Sequence, residues 1–217
     1  SIMVKEILDF LQIQPGQQGL DATLGYGGHT KAMMECLQSR GHMIALDVDP
    51  IEINKTRERL AAQGFGPEIL TIHPMNFRDI DQVATKEGLF DFVLADLGVS
   101  SMQIDNPDRG FSFKVEGPLD LRLNPQMGQS AANRLKTISY YELQGMLIEN
   151  ADEPQAAVIA RAIISNIKKG NDISTTTQLQ KIIKDALKHV PHMSDEEIKK
   201  SCQRCFQALR IDVNHEF

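Results

Sequence analysis

The sequence predicts an α/β protein built on a parallel sheet with helices on both faces. Through the first hundred residues, apolar runs of strand length alternate with stretches of helical spacing, giving four strands separated by helices. The apolar positions of the later strands are close to continuous, as they are in strands buried on both faces. After residue 101 only helical patterns follow. We therefore expect an α-helical domain inserted after the fourth strand.

The strands and helices of the first half can be placed by their apolar spacing. The first strand is predicted to end at Asp21, and a short amphipathic helix begins the chain before it. The next three strands are predicted at residues 42–47, 69–73 and 89–97. Helices are predicted at residues 31–39 and 51–62.

The second half is predicted to hold five helices and no sheet. Ser139 and Glu142 have the spacing of a capping box, and residues 174–176 offer further N-caps. The helices are expected at residues 131–135, 140–149, 154–169, 177–189 and 196 to the end.

Three segments are expected along the chain. Residues 1–103 form the sheet domain, and residues 104–205 form a polar segment followed by the helical insertion. Residues 206–217 begin a helix returning to the sheet. Residues 105–122, here called the lip segment, are rich in Gly, Pro and charged side chains and are expected to border the active site. Four strands leave the sheet incomplete at its C-terminal end. Either the chain is a truncated or shortened form, or a partner or a second copy, such as a homodimer, covers the open edge.

Charge and cysteine content narrow the function classes. The formal net charge of −6 argues against a protein that coats nucleic acid indiscriminately. Residues 1–103 hold 8 Lys+Arg and 14 Asp+Glu, whereas residues 104–217 hold 15 of each, so a polyanion is expected to meet the second half. Three cysteines do not make a disulfide framework, and no apolar run approaches a membrane span. We expect a cytoplasmic protein with no membrane partner.

A glycine-rich turn joins the first strand to the next helix. Gly25, Gly27 and Gly28 lie within four positions, directly after the predicted end of the strand. A strand, a glycine turn and a helix start together present backbone N–H groups and a positive dipole end, which suits a nucleotide-like ligand. An ordinary tight turn between strand and helix would show the same glycines.

Polar and aromatic residues follow the other strands. Asp47 lies about twenty residues past the glycine turn, where an acid can bind both hydroxyls of a ribose. Asp49 precedes Pro50 and can equally cap the next helix. Phe77 either lies against a flat base or packs in the core. Because the carboxyl ends of parallel strands meet at one edge, we expect these residues and Asp96 to line one crevice.

The residue types favour S-adenosylmethionine over a nicotinamide cofactor. Near Asp96, residues 97–101 contain no His, Tyr or Lys to act as the proton donor that hydride transfer needs. The glycines also depart from the strict G-x-G-x-x-G order that binds a pyrophosphate. A carboxylate at Asp96 can instead accept a hydrogen bond from a substrate amine or hydroxyl.

Several segments resemble the bacterial ribosomal RNA small subunit methyltransferase H family, in order and with matching spacing. The resemblance implies a Rossmann-like class I methyltransferase sheet and S-adenosylmethionine-dependent methylation of N4 of a cytidine in 16S rRNA, in the RNA or the ribosomal particle. The matching segments are residues 21–29 (DATLGYGGH), 96–101 (DLGVSS), 109–113 (RGFSF), 117–120 (GPLD) and 206–210 (FQALR).

The resemblance also implies site residues. The glycine turn with Gly25 faces the methionine part of the cofactor, Asp47 holds the ribose and Phe77 lies against adenine. His29 could instead be a helix-start residue bonded to backbone. The residues expected to contact the cofactor are Gly25, Gly27, Gly28, His29, Asp47, Phe77, Asp96 and Gln103.

Methyl transfer to an amine needs a hydrogen-bond acceptor for that amine. Asp96 or Asp120 is our hypothesis for that catalytic group, with Arg109 and Arg122 binding phosphate or the base edge. A structural salt bridge between Asp120 and Arg122 is the alternative.

Two alternatives remain open from the sequence. The protein could be a shortened relative that binds S-adenosylmethionine or RNA without methylating, or one that methylates another acceptor. Separately, two His and two Cys have the paired spacing of a zinc site, but the cysteines fall in a helical pattern and no metal is expected. These four residues are His189, His192, Cys202 and Cys205.

Overall fold

The computed structural model describes residues 2–216 and divides between Ser100 and Ser101 into two compact units. The predicted boundary after residue 103 therefore falls three residues later than this division. The predicted boundary after residue 205 lies inside one continuous helix. Two bounds of the predicted segments lie outside the described residues. These are residue 1, where the first segment starts, and residue 217, where the third ends.

The first unit contains a four-stranded parallel sheet, which confirms the predicted α/β class. The strand order is β3-β2-β1-β4, and Leu20 at the centre of β1 pairs with Ile44 of β2 and Val93 of β4. The elements are α1 (Val4–Leu11), β1 (Gln18–Asp21), α2 (Gly28–Leu37), β2 (His42–Asp47), α3 (Pro50–Ala61), β3 (Leu70–Pro74), α4 (Ile80–Glu87) and β4 (Phe92–Leu94).

The sheet separates two apolar layers. Leu20, Ile44 and Leu46 pack with Val83 of α4 on one face. A larger cluster on the other face includes Met33, Met34 and Leu37 of α2 and Leu60 of α3, together with strand residues such as Met43. Alternate residues of β2 thus enter opposite layers, as the period of a strand requires. This packing fixes the carboxyl ends of β1, β2 and β4 along one edge.

The fourth strand is shorter than the predicted residues 89–97. Pairing between β1 and β4 ends where β1 ends, with Asp21 opposite Leu94. Leu89 is 91% exposed and Leu97 is 50% exposed, so the apolar run extends beyond the part that the sheet buries. The residues after Leu94 therefore leave the sheet and carry Asp96 away from it.

The second unit is helical. Its core includes Leu143 and Leu147 of α7, Ile159 and Ile163 of α8, and Leu209 of α10. The short helix α5 was not predicted, because five residues show no helical period. The helices are α5 (Ser101–Asp105), α6 (Ala131–Thr137), α7 (Tyr140–Ala151), α8 (Ala156–Lys168), α9 (Thr176–Leu187) and α10 (Asp195–Asn214).

Capping boxes fix three helix starts of the second unit. The predicted pair Ser139 and Glu142 is confirmed at α7. Thr175 caps α9 within the predicted cluster of N-cap residues. Ser194 caps α10 in the same way. Its Oγ accepts a hydrogen bond from the Glu197 amide, and its backbone N–H donates one to the Glu197 carboxylate. Each box satisfies amide donors that a helix start leaves without intrahelical partners.

Over residues 2–216, none of the helices is both long and apolar enough to span a bilayer.

Candidate functional site

The glycine turn connects β1 to α2 through a tightly folded loop. Gly25 and Gly27 have φ values of +47° and +74°, which L side chains rarely adopt. A Cβ on Gly27 would lie 2.7 Å from Thr56 Cγ2 and 3.2 Å from Leu60 Cδ1 of α3. Gly27 is therefore required both for its backbone conformation and for the close approach of α3.

Asp21 fastens the two ends of this loop to each other. Its Oδ2 accepts a hydrogen bond from Thr30 Oγ1 of α2 at 2.6 Å, and its Oδ1 accepts one from the Thr23 amide at 3.0 Å. The side chain is buried, and burial raises the pKa of its carboxyl despite these bonds. Asp21 consequently has a structural role beneath the loop.

Asp47 at the end of β2 joins the glycine turn to the start of α3. Its Oδ2 accepts a hydrogen bond from the Gly25 amide at 2.7 Å, and its Oδ1 accepts one from the Asp49 amide at 2.9 Å. Burial raises the pKa of this carboxyl, while the two amide bonds act in the opposite direction. Each carboxylate oxygen can accept more than one hydrogen bond, so Asp47 retains acceptor capacity for hydroxyl groups.

Asp49 caps α3, as the alternative interpretation of this acid predicted. Its Oδ1 accepts hydrogen bonds from the amides of Ile51 and Glu52 at 3.0 and 3.3 Å, and Pro50 is the first helical residue. The two acids after β2 thus have different tasks. Asp49 caps the helix, and Asp47 bonds to the glycine turn.

Asp96 follows β4 and lies beside His29. The Asp96 amide donates to Thr23 Oγ1 at 2.8 Å, which ties the segment after β4 to the loop after β1. His29 Nδ1 lies 3.7 Å from Asp96 Oδ2, and Nε2 lies 3.0 Å from the backbone oxygen of Ile2. The Asp96 side chain is 53% exposed and the His29 side chain is 9% exposed. His29 therefore bonds to backbone and also faces the candidate catalytic carboxylate.

Asn76 and Phe77 follow β3 at the edge of the sheet. The Asn76 side chain accepts a hydrogen bond from the Arg78 amide at 3.1 Å and begins a single 3-10 turn, Phe77–Asp79. Phe77 is half-buried. Its expected contact with a flat base stays a prediction.

In the second unit, the lip segment includes a buried arginine. Arg109 Nη2 donates to the backbone oxygens of Arg122 and Leu123 at 3.2 and 2.7 Å. Asn214 of α10 holds the same stretch, since its Oδ1 accepts from the Leu123 amide and its Nδ2 donates to the Leu121 oxygen. These contacts indicate that Arg109 shapes the lip, and its predicted contact with substrate stays a prediction.

Asp120 and Arg122 form a two-pronged ion pair within the lip. Arg122 Nε lies 2.6 Å from Asp120 Oδ1, and Nη2 lies 2.8 Å from Oδ2. Hydrogen bonding to Asp120 raises the pKa of the Arg122 guanidinium further. This geometry favours the salt-bridge interpretation of the pair.

Gln103, predicted to contact a cofactor, is a buried residue of α5.

The four residues with zinc-like spacing do not assemble into a metal site. Across residues 2–216, no group of three or more His, Cys, Asp or Glu side chains is arranged to hold a metal ion. Cys202 and Cys205 are both buried on α10, and burial raises the pKa of the Cys202 thiol to about 11. The cysteine spacing follows from the helix, where both thiols face the core.

Sequence reasoning missed three threonines that position the site. Thr23 and Thr30 bond to Asp21, and Thr56 Oγ1 of α3 donates to the Gly25 oxygen at 2.6 Å. The close spacing of Asp21 and Thr23 resembles a turn in which an aspartate accepts from the backbone two residues later, and that signal was available. Thr56 lies 31 positions from its partner and gave no local signal.

The chain is similar to curated proteins named for methylation of ribosomal RNA. It is 72% identical over 218 residues to ribosomal RNA small subunit methyltransferase H 2 of Alkaliphilus metalliredigens, covering all of this chain and 62% of that protein. It is 68% and 65% identical to methyltransferases H 1 of Lachnoclostridium phytofermentans and Agathobacter rectalis, again along its full length, covering 60% and 62% of them. The chain thus spans about three fifths of these relatives. The model of the MraW methylase family matches residues 1–217, and the chain belongs to that family.

Proposed function

We propose that this chain provides the cofactor site of an S-adenosylmethionine-dependent methyltransferase acting on N4 of a cytidine in 16S rRNA. The observation that carries the proposal is the hydrogen bond between the Asp47 carboxylate and the Gly25 amide. It joins the acid expected to bind the ribose hydroxyls to the glycine turn, at the carboxyl edge of the sheet. Family membership and the names of the relatives support the substrate class.

The donor set of the first unit fits S-adenosylmethionine. Asp47 would accept hydrogen bonds from the ribose hydroxyls, and Phe77 would lie against the adenine. Gly25, Gly27, Gly28 and His29 would face the methionine part, where the first amides of α2 have no intrahelical partners. When bound, the cofactor would supply a methyl group on a sulfonium, suited to direct in-line transfer. Gln103 is proposed as a further contact.

Asp96 is the proposed acceptor for the reacting amine. Its carboxylate is half exposed, and its backbone amide is fixed to Thr23, so the group is accessible and positioned. A hydrogen bond from N4 to Asp96 would orient the amine, whose lone pair is otherwise delocalised into the ring. His29 Nδ1 lies 3.7 Å from Asp96 Oδ2 and helps to position that carboxylate.

The lip segment and helical unit are proposed to meet the RNA. A cytidine must leave its stack to reach a site of this kind. Arg109 and the pair of Asp120 and Arg122 would shape the lip, and Arg122, whose Nη1 donates to the Gly128 oxygen, is proposed to bind phosphate or the base edge through its remaining N–H groups. Catalysis by Asp120 is the weaker proposal because both of its oxygens already bind Arg122.

Location and assembly follow as further expectations. With a ribosomal RNA substrate, we expect the protein to act in the cytoplasm. In the described sheet β4 pairs with β1 alone, and a second copy of the chain is proposed to cover its other edge. Sedimentation of the purified chain tests this dimer.

Calorimetry followed by methyl transfer tests the proposal. The chain is titrated with S-adenosylmethionine, then incubated with tritiated cofactor and small-subunit RNA, free or in the ribosomal particle. We expect binding and transfer to a cytidine, with Asp96→Asn retaining binding and losing transfer. Binding without transfer by the wild-type chain would instead favour a cofactor-binding relative. Absence of binding would contradict the proposal.

A further inference from the structure

Two side chains of helix α3 donate hydrogen bonds to backbone carbonyls of the glycine turn. Thr56 Oγ1 donates to the Gly25 oxygen at 2.6 Å. One turn further along α3, Arg59 Nη2 donates to the Tyr26 oxygen and also to Thr56 Oγ1, the latter at 2.8 Å. Consecutive carbonyls of the turn are thus both held by one face of one helix.

Arg59 makes a second contact with the same residue of the turn. Its guanidinium carbon lies 3.4 Å from the centroid of the Tyr26 ring, which is a stacked cation–π arrangement. Tyr26 is 49% exposed, so its position depends on this contact more than on burial in the core. A planar guanidinium can stack on a ring while its edge donates hydrogen bonds, and a lysine cannot do both.

The end of β2 holds the same turn at the Gly25 amide. Asp47, just before the helix, accepts from the Gly25 amide, and Asp49 fixes the first turn of α3 as its cap. Gly27 lies so close to Thr56 that a Cβ there would overlap it. The turn is therefore held by Asp47 at the end of β2 and by Thr56 and Arg59 of α3.

We propose that Arg59 is a positioning residue that holds residues 25–27 in the ligand-ready conformation before the cofactor binds. The proposal rests on the proposed function of the turn. With the Gly25 and Tyr26 carbonyls bonded to α3, these two acceptor oxygens are kept from turning toward an anionic group of a ligand. A turn ordered in advance loses less conformational entropy on binding, which raises affinity.

Hydrogen exchange of the ligand-free protein, combined with calorimetry, tests this role. Arg59→Ala and Arg59→Lys are compared with Arg57→Ala, a control on the same helix whose side chain is exposed and bonds to Asn54 alone among the described contacts. We expect about tenfold faster exchange of the amides of residues 25–28 in Arg59→Ala, and about tenfold weaker binding of S-adenosylhomocysteine. Arg59→Lys recovers only part of both, and Arg57→Ala changes neither.

A second variant separates the stacking contact from the hydrogen bond. Tyr26→Ala removes the ring and keeps the backbone carbonyl. If the ring acts through Arg59, the change in exchange rate and affinity in the double variant should be smaller than the sum of the changes in the two single variants. Unchanged exchange of residues 25–28 in both Arg59 variants would overturn the proposal, whatever the wild-type chain binds. Failure of the wild-type chain to bind S-adenosylhomocysteine would contradict the proposed function instead.

Discussion

The carboxylate of Asp47 accepts a hydrogen bond of 2.7 Å from the backbone amide of Gly25, across 22 positions of sequence. This bond connects the end of β2 to the turn after β1. Because Asp47 is also fixed by the Asp49 amide, its carboxylate has a defined orientation before any ligand arrives. The two features most expected to bind a nucleoside cofactor are therefore parts of one hydrogen-bonded unit.

Alanine at Gly27 should impair folding and cofactor binding more than alanine at Gly170, where an added Cβ meets nothing within 4 Å. Both glycines have positive φ, +74° and +82°, so each substitution costs about 1–2 kcal/mol of backbone strain. Only at Gly27 does the new Cβ meet Thr56, adding about 1–3 kcal/mol of overpacking. Urea unfolding of the two variants measures the difference. Equal losses of stability would show that α3 does not restrict the turn.

Cofactor affinity should fall as the pH is lowered through the raised pKa of Asp47. Burial raises this pKa, so the carboxyl takes up a proton at a higher pH than an ordinary aspartate and then accepts fewer hydrogen bonds. The pKa of Asp47 is higher in the folded state than in the unfolded state. Asp47 therefore stabilises the folded state when the pH is below the unfolded-state pKa, and this contribution is lost as the pH rises through the folded-state pKa.

Calorimetry of S-adenosylhomocysteine binding as the pH is lowered from neutral measures the affinity effect, with Asp47→Asn as the control that lacks the titrating group. Equal pH dependence in the two proteins would contradict a ribose contact by Asp47.

Removing either member of the pair formed by Asp120 and Arg122 should destabilise the protein. Both side chains are about one fifth exposed and make two parallel bonds, so we expect a loss of about 1–2 kcal/mol for each alanine variant. The double variant should cost less than the two losses together by about 1 kcal/mol. Thermal or urea unfolding of the four proteins gives this coupling. Full additivity, combined with loss of methyl transfer in Asp120→Asn, would return Asp120 to a catalytic role.

A thiol reagent should modify Cys36 in the native protein and spare the other two cysteines. Cys36 is partly exposed, whereas Cys202 and Cys205 are buried on α10. Burial raises the pKa of the Cys202 thiol to about 11 and that of Cys205 well above its ordinary value, so neither forms thiolate at neutral pH. Mass spectrometry of alkylated native and denatured protein checks this. Rapid native labelling of Cys202 would contradict the packing of α10.

The sheet was predictable from the sequence because its strands are apolar runs that end in polar residues. The period of a run reveals burial, and β2 matches the predicted residues 42–47. The length of β4 was not predictable, because pairing stops where β1 ends and leaves Leu89 and Leu97 exposed. Helix α5 was missed since five residues hold too little periodicity.

The site was predictable only where one residue type serves one task. Glycines with positive φ and the capping acid Asp49 are of this kind. Arg59 belongs to a charged helix face, which usually indicates solvent, and its contact with Tyr26 joins residues 33 positions apart. The pairing of Asp120 with Arg122 was open from sequence, because residues two apart can face each other or diverge in an irregular loop.

Amide chemical shifts of the isotope-labelled chain during titration with S-adenosylhomocysteine test the central claim most directly. The account predicts that the largest changes occur at Gly25, Gly27, Asp47 and Asp96, together with their neighbours along the carboxyl edge of the sheet. Shift changes that are absent at saturating ligand, or concentrated in α6–α10, would contradict it.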